Sequence, residues 1–371
     1  MRANNDQPSE VLARPSVEGA DILSDVLRAV RLNAALFFLT DATTPWSAQV
    51  PSGSTLTPVI LPGAQHLISY HVVLKGRCWC RGAGGAALGL EAGDVVVIPH
   101  GDPYALSHPA DAPGAWPPDE VVEFFHLMAK HELPFMVEEG GGGSEQVQVL
   151  CGFLGCDVRP FNPILSALPR VLRVPRAPDT HDRLDSLIEF AMAERREQRA
   201  GSDSVLLRIA ELMFVEVVRR HLESLAPEQT GWLAGLRDPI VARALALLHR
   251  HPARAWTLQA LADESAVSRS ALAERFTHFV GVPPMHYLKQ WRMQNAARML
   301  RDGDAKVIAV AAAVGYESEA AFSRAFTRMV GTSPASWRKR RQGAGSSHNE
   351  PDCINHREHR EHRELQRREL L

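Results

Sequence analysis

Two stretches fifty residues apart carry polar side chains at helical spacing. Arg269, Ser270, Ala273, Glu274 and Thr277 follow Ser268, and Glu319, Ala320, Ser323, Arg324 and Thr327 follow Ser318. Residues three and four apart share a helix face, and within each set such pairs overlap into one broad stripe. Arginine can give guanine two parallel hydrogen bonds and glutamate can accept from cytosine N4. A serine at a helix N-terminus sits where a phosphate oxygen can be met. The other chemistry-bearing residues are thiols and imidazoles. Cys78 and Cys80 are two apart on an expected strand, so both point to one face. A bond between those two would be strained, whereas Cys151 and Cys156 could close a loop disulfide or pair with them across a sheet. The alternative is that all four are small buried apolar residues. His66, His71, His108 and His126 are weak metal candidates, because lone histidines on strands are more often packed or surface residues. No cofactor is expected.

The polar sets need helices to hold them, and the surrounding pattern supplies two helical pairs. Sliding the sequence by fifty residues lays LADESAVSRSALAERFTHFVGVPPMHYL (261–288) over AAAVGYESEAAFSRAFTRMVGTSPASWR (311–338) without a gap. Ala262/Ala312, Ser268/Ser318, Phe276/Phe326, Gly281/Gly331 and Pro284/Pro334 then coincide. In each copy a short helix, a turn and a second helix follow one another. Thr257 and Ser268 are expected N-caps in the first copy, and Gly315 and Tyr316 form the turn of the second. Ala262 and Ala312 are expected where the helices approach, and Ala271, Leu272, Phe276 and Val280 where the second helix meets its core. Between the copies runs PPMHYLKQWRMQNAARMLRD, a helix of about 28 Å at 1.5 Å per residue. That length suits two helices in successive major grooves, about 34 Å apart along one face of a duplex.

Charge divides along the chain in the same sense. Residues 237–341 hold 17 Lys and Arg against 8 Asp and Glu, while residues 1–236 hold 19 against 29. A compact basic segment on an acidic body is the footprint of nucleic-acid binding. The whole chain has 371 residues, a net charge of -2 and only five cysteines, the fifth being Cys353. Several domains are expected, and a disulfide framework is not. No apolar run reaches the length of a membrane span, and the first twenty residues lack an apolar signal core. A cytoplasmic protein is therefore expected.

Toward the N-terminus, AALFFL, LISYHVVL, DVVVIP, EVVEFFHLM and QVQVLCGFL alternate with Gly- and Pro-rich breaks and read as strands. DILSDVLRAVRL reads as a helix before them, and VEEGGGGSEQ as a flexible loop. Leu184 to Leu222 has helical periodicity, interrupted at RREQRAGSDS. The fold class is multidomain α+β. Residues 1–20 form a disordered N-terminus and 21–176 a β-barrel domain. Residues 177–236 form a helical connector suited to dimerisation, 237–341 an all-α domain with two helix-turn-helix units, and 342–371 a disordered charged tail.

GYESEAAFSRAFTRMVGTSPASWRK (315–339) and SRSALAERFTHFVGVPPMHYL (268–288) resemble the DNA-binding domain of the AraC/XylS family of bacterial regulators. The resemblance implies a sequence-specific transcription regulator, an activator by family habit, working on double-stranded DNA with RNA polymerase as partner and as a homodimer. It places Ser270, Ala273 and Glu274, and Glu319, Ala320, Ser323 and Arg324, near bases. LISYHVVLKGRCW and LGLEAGDVVVIPHGDPYALSH resemble a cupin-type sensor, which implies control by a small ligand or by thiol oxidation at Cys78, Cys80, Cys151 and Cys156. Metal-binding cupins carry a histidine pair in the first motif, where this chain has only His71 before Gly76. The rival reading, a metal-dependent cupin enzyme fused to a DNA-binding unit, therefore lacks its donor set.

Overall fold

The computed structural model describes residues 21–344 apart from 30–31, 115, 157–159, 178–181, 198 and 227. The expected disordered N-terminus, Cys353 and the tail beyond Ala344 lie outside the described residues. The chain begins with α1 (Ile22–Ala29), β1 (Leu32–Thr43), β2 (Trp46–Val50) and α2 (Gly53–Ile60). Then come β3 (His66–Lys75), β4 (Arg77–Gly82), β5 (Leu88–Glu91), β6 (Val95–Ile98) and β7 (Tyr104–His108). The N-terminal domain closes with α3 (Pro118–Ala129), β8 (Met136–Gly140), β9 (Gln146–Cys156), α4 (Pro163–Ala167) and β10 (Leu172–Val174). Six strands form one sheet in the order β10-β6-β3-β9-β1-β8, and four form a second in the order β2-β7-β4-β5. Among the described residues, β1 and β8 are the one pair that runs parallel.

The large sheet is buried on both faces, which accounts for apolar runs such as VVVI where a half-exposed strand would alternate. On β9, Val147, Val149, Cys151 and Phe153 face the small sheet, while Leu150, Leu154 and Cys156 face the other way. β3 divides likewise, with Leu67 and Val73 inside and Ile68, Tyr70 and Val72 outside. Each fully buried side chain of this size contributes about 1.5–3 kcal/mol. Gly152 lies opposite Tyr70 across the pair, and any Cβ there would enter the Tyr70 ring.

Two expectations for this domain are corrected. EVVEFFHLM lies in helix α3, not in a strand. Pro117 and Pro118 precede Asp119 and Glu120 in a first turn, and Val121, Phe125 and Met128 are buried at helical spacing. The segment read as a flexible loop begins as β8, whose register pairs Thr40 with Val137 and Ala42 with Glu139.

The remainder is helical. α5 (Arg183–Glu197) and α6 (Ser202–Ser224) break where the sequence is interrupted, and α6 covers the outer face of the large sheet through Ala210, Met213, Phe214 and Val217. After them come α7 (Trp232–Gly235), α8 (Pro239–Arg250), α9 (Leu258–Glu264), α10 (Arg269–Val280), α11 (Pro284–Asp302), α12 (Val307–Ala313), α13 (Glu319–Val330) and α14 (Pro334–Ala344). α14 runs three residues past the expected start of the tail. α11 serves two cores. Tyr287, Leu288 and Trp291 join the first helical unit, and Met293, Ala296, Ala297 and Leu300 join the second.

Candidate nucleic-acid interface

Helices α9 and α10 form the first unit, and side chains fix both starts. Thr257 Oγ1 accepts from the Ala260 N–H at 3.1 Å, and Ser268 Oγ accepts from the Ala271 N–H at 3.2 Å. Ser318 Oγ does the same for the Ala321 N–H at 3.2 Å at the start of α13. Both second helices end on a left-handed glycine, Gly281 (φ 79°) and Gly331 (φ 83°). Leu272 and Phe276 on α10, and Phe322 and Phe326 on α13, are completely buried.

The faces turned away from those cores carry the polar sets. Arg269, Ser270, Glu274 and Thr277 are exposed on α10, and Glu319, Ala320, Arg324 and Thr327 on α13. Ala273 and Ser323 are half-buried on the same faces. Arg324 has no partner among the described residues, so its guanidinium is free to meet another molecule. Arg275, next to Glu274, is already engaged, with its Nε 2.7 Å from Asp238 Oδ2. Asp238 also caps α8 by accepting from the Ile240 and Val241 N–H groups. Burial opposes the charge of that carboxylate, but the Arg275 and backbone hydrogen bonds outweigh it and lower its pKa.

The repeat is not gapless. The first helices α9 and α12 are 49 residues apart in register, and the second helices α10 and α13 are 50 apart. Leu261 and Ala262 therefore correspond to Val310 and Ala311, all fully buried, whereas Ala312 is exposed. The second turn is one residue longer. Ala266 (φ 56°) and Gly315 (φ 81°) hold the matching left-handed position, and Glu317 is the insertion. The alanine-rich VIAVAAAV suits either register equally in composition, so only packing separates them. Ala271, expected in the core, is exposed on the first turn of α10.

Unit one does not stand alone. α7, assigned by sequence to the connector, packs on α10, with the Gly231 N–H donating to the Phe279 carbonyl at 2.9 Å. Trp232 Nε1 donates to the Tyr287 hydroxyl at 3.0 Å, and that hydroxyl lies 2.8 Å from His249 Nε2. The other imidazole nitrogen, Nδ1, lies 3.8 Å from Asp25 Oδ2 on α1. Phe161 connects the N-terminal domain to the same place, its N–H donating to Gln294 Oε1 at 3.1 Å.

The thiols and imidazoles fall into three surroundings. Cys78, Cys80 and Cys151 enter the core between the sheets, while Cys156 points into the opposite core, and all four are buried. Burial pushes the Cys78 and Cys80 thiols up to about 12 and raises that of Cys151 as well. His71 Nε2 meets the Tyr104 hydroxyl, and burial lowers that imidazole to about 3. His66 Nε2 lies 2.7 Å from the Pro99 carbonyl, His108 Nε2 lies 3.1 Å from Glu145, and His126 is in the last turn of α3. Beside His71 and Cys151 the inter-sheet core leaves a cavity walled mainly by Phe38, Trp46, Trp116, Phe124, Phe125 and Phe153. Glu139 also lines it, and burial raises its carboxyl pKa.

Comparison with known proteins matches residues 21–223 to a cupin family profile and residues 261–340 to a helix-turn-helix domain profile. The cupin match extends through α5 and α6, beyond the expected domain end at 176. A protein of Streptomyces lividans described as an AraC-like transcription regulator is 34% identical over 74% of this chain and 88% of its own length. A second, from Streptomyces antibioticus, is 32% identical over 86% of this chain and 98% of its own length. The solved DNA-binding domain of AdpA in complex with target DNA is 29% identical over 30% of this chain and 98% of its own, with a TM-score of 0.28. With its capped and paired helices, its N-terminal cupin domain and the two Streptomyces relatives, the chain belongs to the AraC-like family and is a DNA-binding transcription regulator.

Proposed function

We propose that α10 and α13 are the two reading helices and that they enter successive major grooves of one duplex. The observation that carries this reading is the pair of outward faces, each free of core residues and each starting at a serine-capped N-terminus. On α10, Arg269, Ser270, Ala273, Glu274 and Thr277 face the bases, and on α13 Glu319, Ala320, Ser323, Arg324 and Thr327 do so. Ser268 and Ser318 meet phosphates. Ala273 and Ala320 offer only short apolar contacts, such as to a thymine methyl. Nuclease footprinting of the full chain on its own upstream region tests the arrangement. Protection over two adjacent turns on one face supports it, and protection of a single turn refutes it. A regulator reading genomic DNA works in the cytoplasm, and activation would require contact with RNA polymerase.

The cavity of the cupin domain is the proposed effector site. Its aromatic wall, with no Lys or Arg among the described residues that line it, favours a small, largely apolar, uncharged molecule. The raised thiol pKa values weigh toward a ligand over an oxidant, because a thiolate is the reactive form. The redox reading keeps one supporting observation, that Cys151 lines the cavity beside the core that holds Cys78 and Cys80. Footprints with reduced and mildly oxidised protein separate the two. Identical protection removes the thiols, and altered protection that disappears in Cys151→Ser restores them. An enzyme role has less support, since the four histidines lie on β3, β7 and α3 and are directed to different neighbours. Phe190 on α5 and Leu212 on α6 are about half exposed and offer a second copy an apolar face. Sedimentation of Leu212→Glu, which should become monomeric, tests the homodimer.

A further inference from the structure

A helix shared by two cores holds the rotation between them only as firmly as each core grips it, and a second contact between the units stiffens that setting. α11 is the covalent link between the helix-turn-helix units, and Arg292 lies at its midpoint. It stands between Trp291, which belongs to the first core, and Met293, which belongs to the second. Its guanidinium donates to three backbone carbonyls in two different units. Nε reaches the Pro252 carbonyl at 2.7 Å and Nη2 the Arg254 carbonyl at 2.8 Å, both in the loop between α8 and α9. Nη1 reaches the Gly315 carbonyl at 3.4 Å, in the turn between α12 and α13. The two turns also touch directly. A Cβ at Gly315 would lie 2.8 Å from the Ala253 Cα, so only glycine allows this approach, besides suiting the left-handed φ of 81°.

The loop of unit one is itself braced. Trp256 Nε1 donates to the His251 carbonyl at 3.0 Å, and the Arg254 guanidinium lies 4.0 Å above the Trp256 ring while pairing with Glu264 at 2.6 Å. A rigid loop, a rigid turn and an arginine joining them give the two units a second point of attachment beyond α11. We propose that Arg292 is a positioning residue for DNA recognition, locking the rotation between α10 and α13 and so setting the half-site spacing that this regulator accepts. Lysine could not substitute, because one ammonium on a flexible stem lacks the planar fork that reaches carbonyls on both sides. This inference rests on the two-groove reading above.

The consequence is a spacing preference. One added base pair moves the second half-site by about 3.4 Å and turns it by about 35°, given ten base pairs per 34–36 Å turn. A locked pair of units loses simultaneous engagement on such a duplex, and a loosened pair loses less. The test uses the full chain and a duplex selected by it from a random-sequence pool. Companion duplexes have the α13 half scrambled, or one or two base pairs inserted between the halves. The wild type should prefer the intact duplex over the scrambled one by about 10²–10⁴, the usual gain from a linked second site. Arg292→Ala should cut that ratio by about tenfold and flatten the penalty for insertion, while binding the scrambled duplex as the wild type does. A merely structural role would lower the active fraction and shift every duplex by one factor, leaving the ratio unchanged. That result, or an unaltered spacing profile, overturns the proposal. If Arg292→Ala does not fold, Arg292→Lys carries the same test on the same ratio. A wild type that binds the scrambled duplex as tightly as the intact one overturns the two-groove reading, and the clamp with it.

Discussion

At the scale of single residues, Arg324 is the reader we propose to test first, because its exposed guanidinium lies opposite Phe322 on α13 and has no partner among the described residues. Arg324→Ala should weaken specific binding by about 1–3 kcal/mol and relax one base position, read by competition among single-base variants of the selected duplex. Arg275 makes the contrast. It lies on the same helix as Glu274 but is committed to Asp238, so its removal should show in stability first. The depressed pKa of Asp238 gives that stability a pH signature. A carboxylate with a lowered folded-state pKa stabilises above its ordinary range and loses that contribution as pH falls through the folded value. Melting Asp238→Asn beside the wild type should therefore show a deficit at pH 7 that narrows toward pH 3. A gap of constant size would leave the Arg275 pairing without a role. The left-handed pair behaves asymmetrically. Gly315→Ala should destabilise by more than about 1–2 kcal/mol through backbone strain and the collision with Ala253, whereas Ala266→Gly should cost little, since it exchanges strain for chain entropy.

At the scale of elements, α7 decides where the DNA-binding portion starts. Four residues are too few to form a stable helix alone, yet Trp232 is buried and bonded to Tyr287. A fragment of residues 231–344 should melt several degrees above one of residues 237–344, measured by circular dichroism. Equal melting would mean that α7 belongs to the connector. Within the cupin domain the opposing faces of β9 set the corresponding constraint. Gly152→Val should cost about 1–3 kcal/mol or more, because the added methyls must displace the Tyr70 ring in a packed core. Both cases show elements whose sequences are unremarkable and whose roles come from what they touch. VVEFFHLM was equally ambiguous. Its β-branched and aromatic content suits a strand, but the two prolines and two acidic residues before it supply a helix start.

At the scale of the whole molecule the two helix-turn-helix units are unequally tied to the cupin domain. One continuous core runs from α1 and the outer face of the large sheet through α6 and α7 to α10 and the first half of α11. The second unit has a core of its own around Phe322, Phe326 and Trp337. A change at the cavity therefore has a packed route to the first unit through β9, whose Phe153 faces the cavity while Leu150 and Leu154 face α6. Phe153→Ala should raise amide hydrogen exchange over residues 206–218 and 232–291 more than over 307–340, read by mass spectrometry. Equal effects on both units, or none on the first, would refute this route.

The sequence by itself determined the two helix-turn-helix units, because N-cap serines, C-terminal glycines and paired aromatic residues act over a few residues and leave a local record. It also determined which faces of α10 and α13 turn outward, since helical period alone separates Leu272 and Phe276 from Glu274. The basic segment and most strands of the cupin domain were legible for the same reason. What only the tertiary structure decided depends on residues far apart in the chain. The single-residue insertion at Glu317 could not be placed, because Ala311 and Ala312 are chemically identical and only burial distinguishes them. The grouping of Cys78, Cys80 and Cys151 apart from Cys156 follows from strand parity in a sheet buried on both sides, where apolar content gives no sign of which face is which. The clamp at Arg292 is a contact among loops about forty and twenty residues away, and nothing in its local sequence distinguishes it from the other arginines of a basic helix.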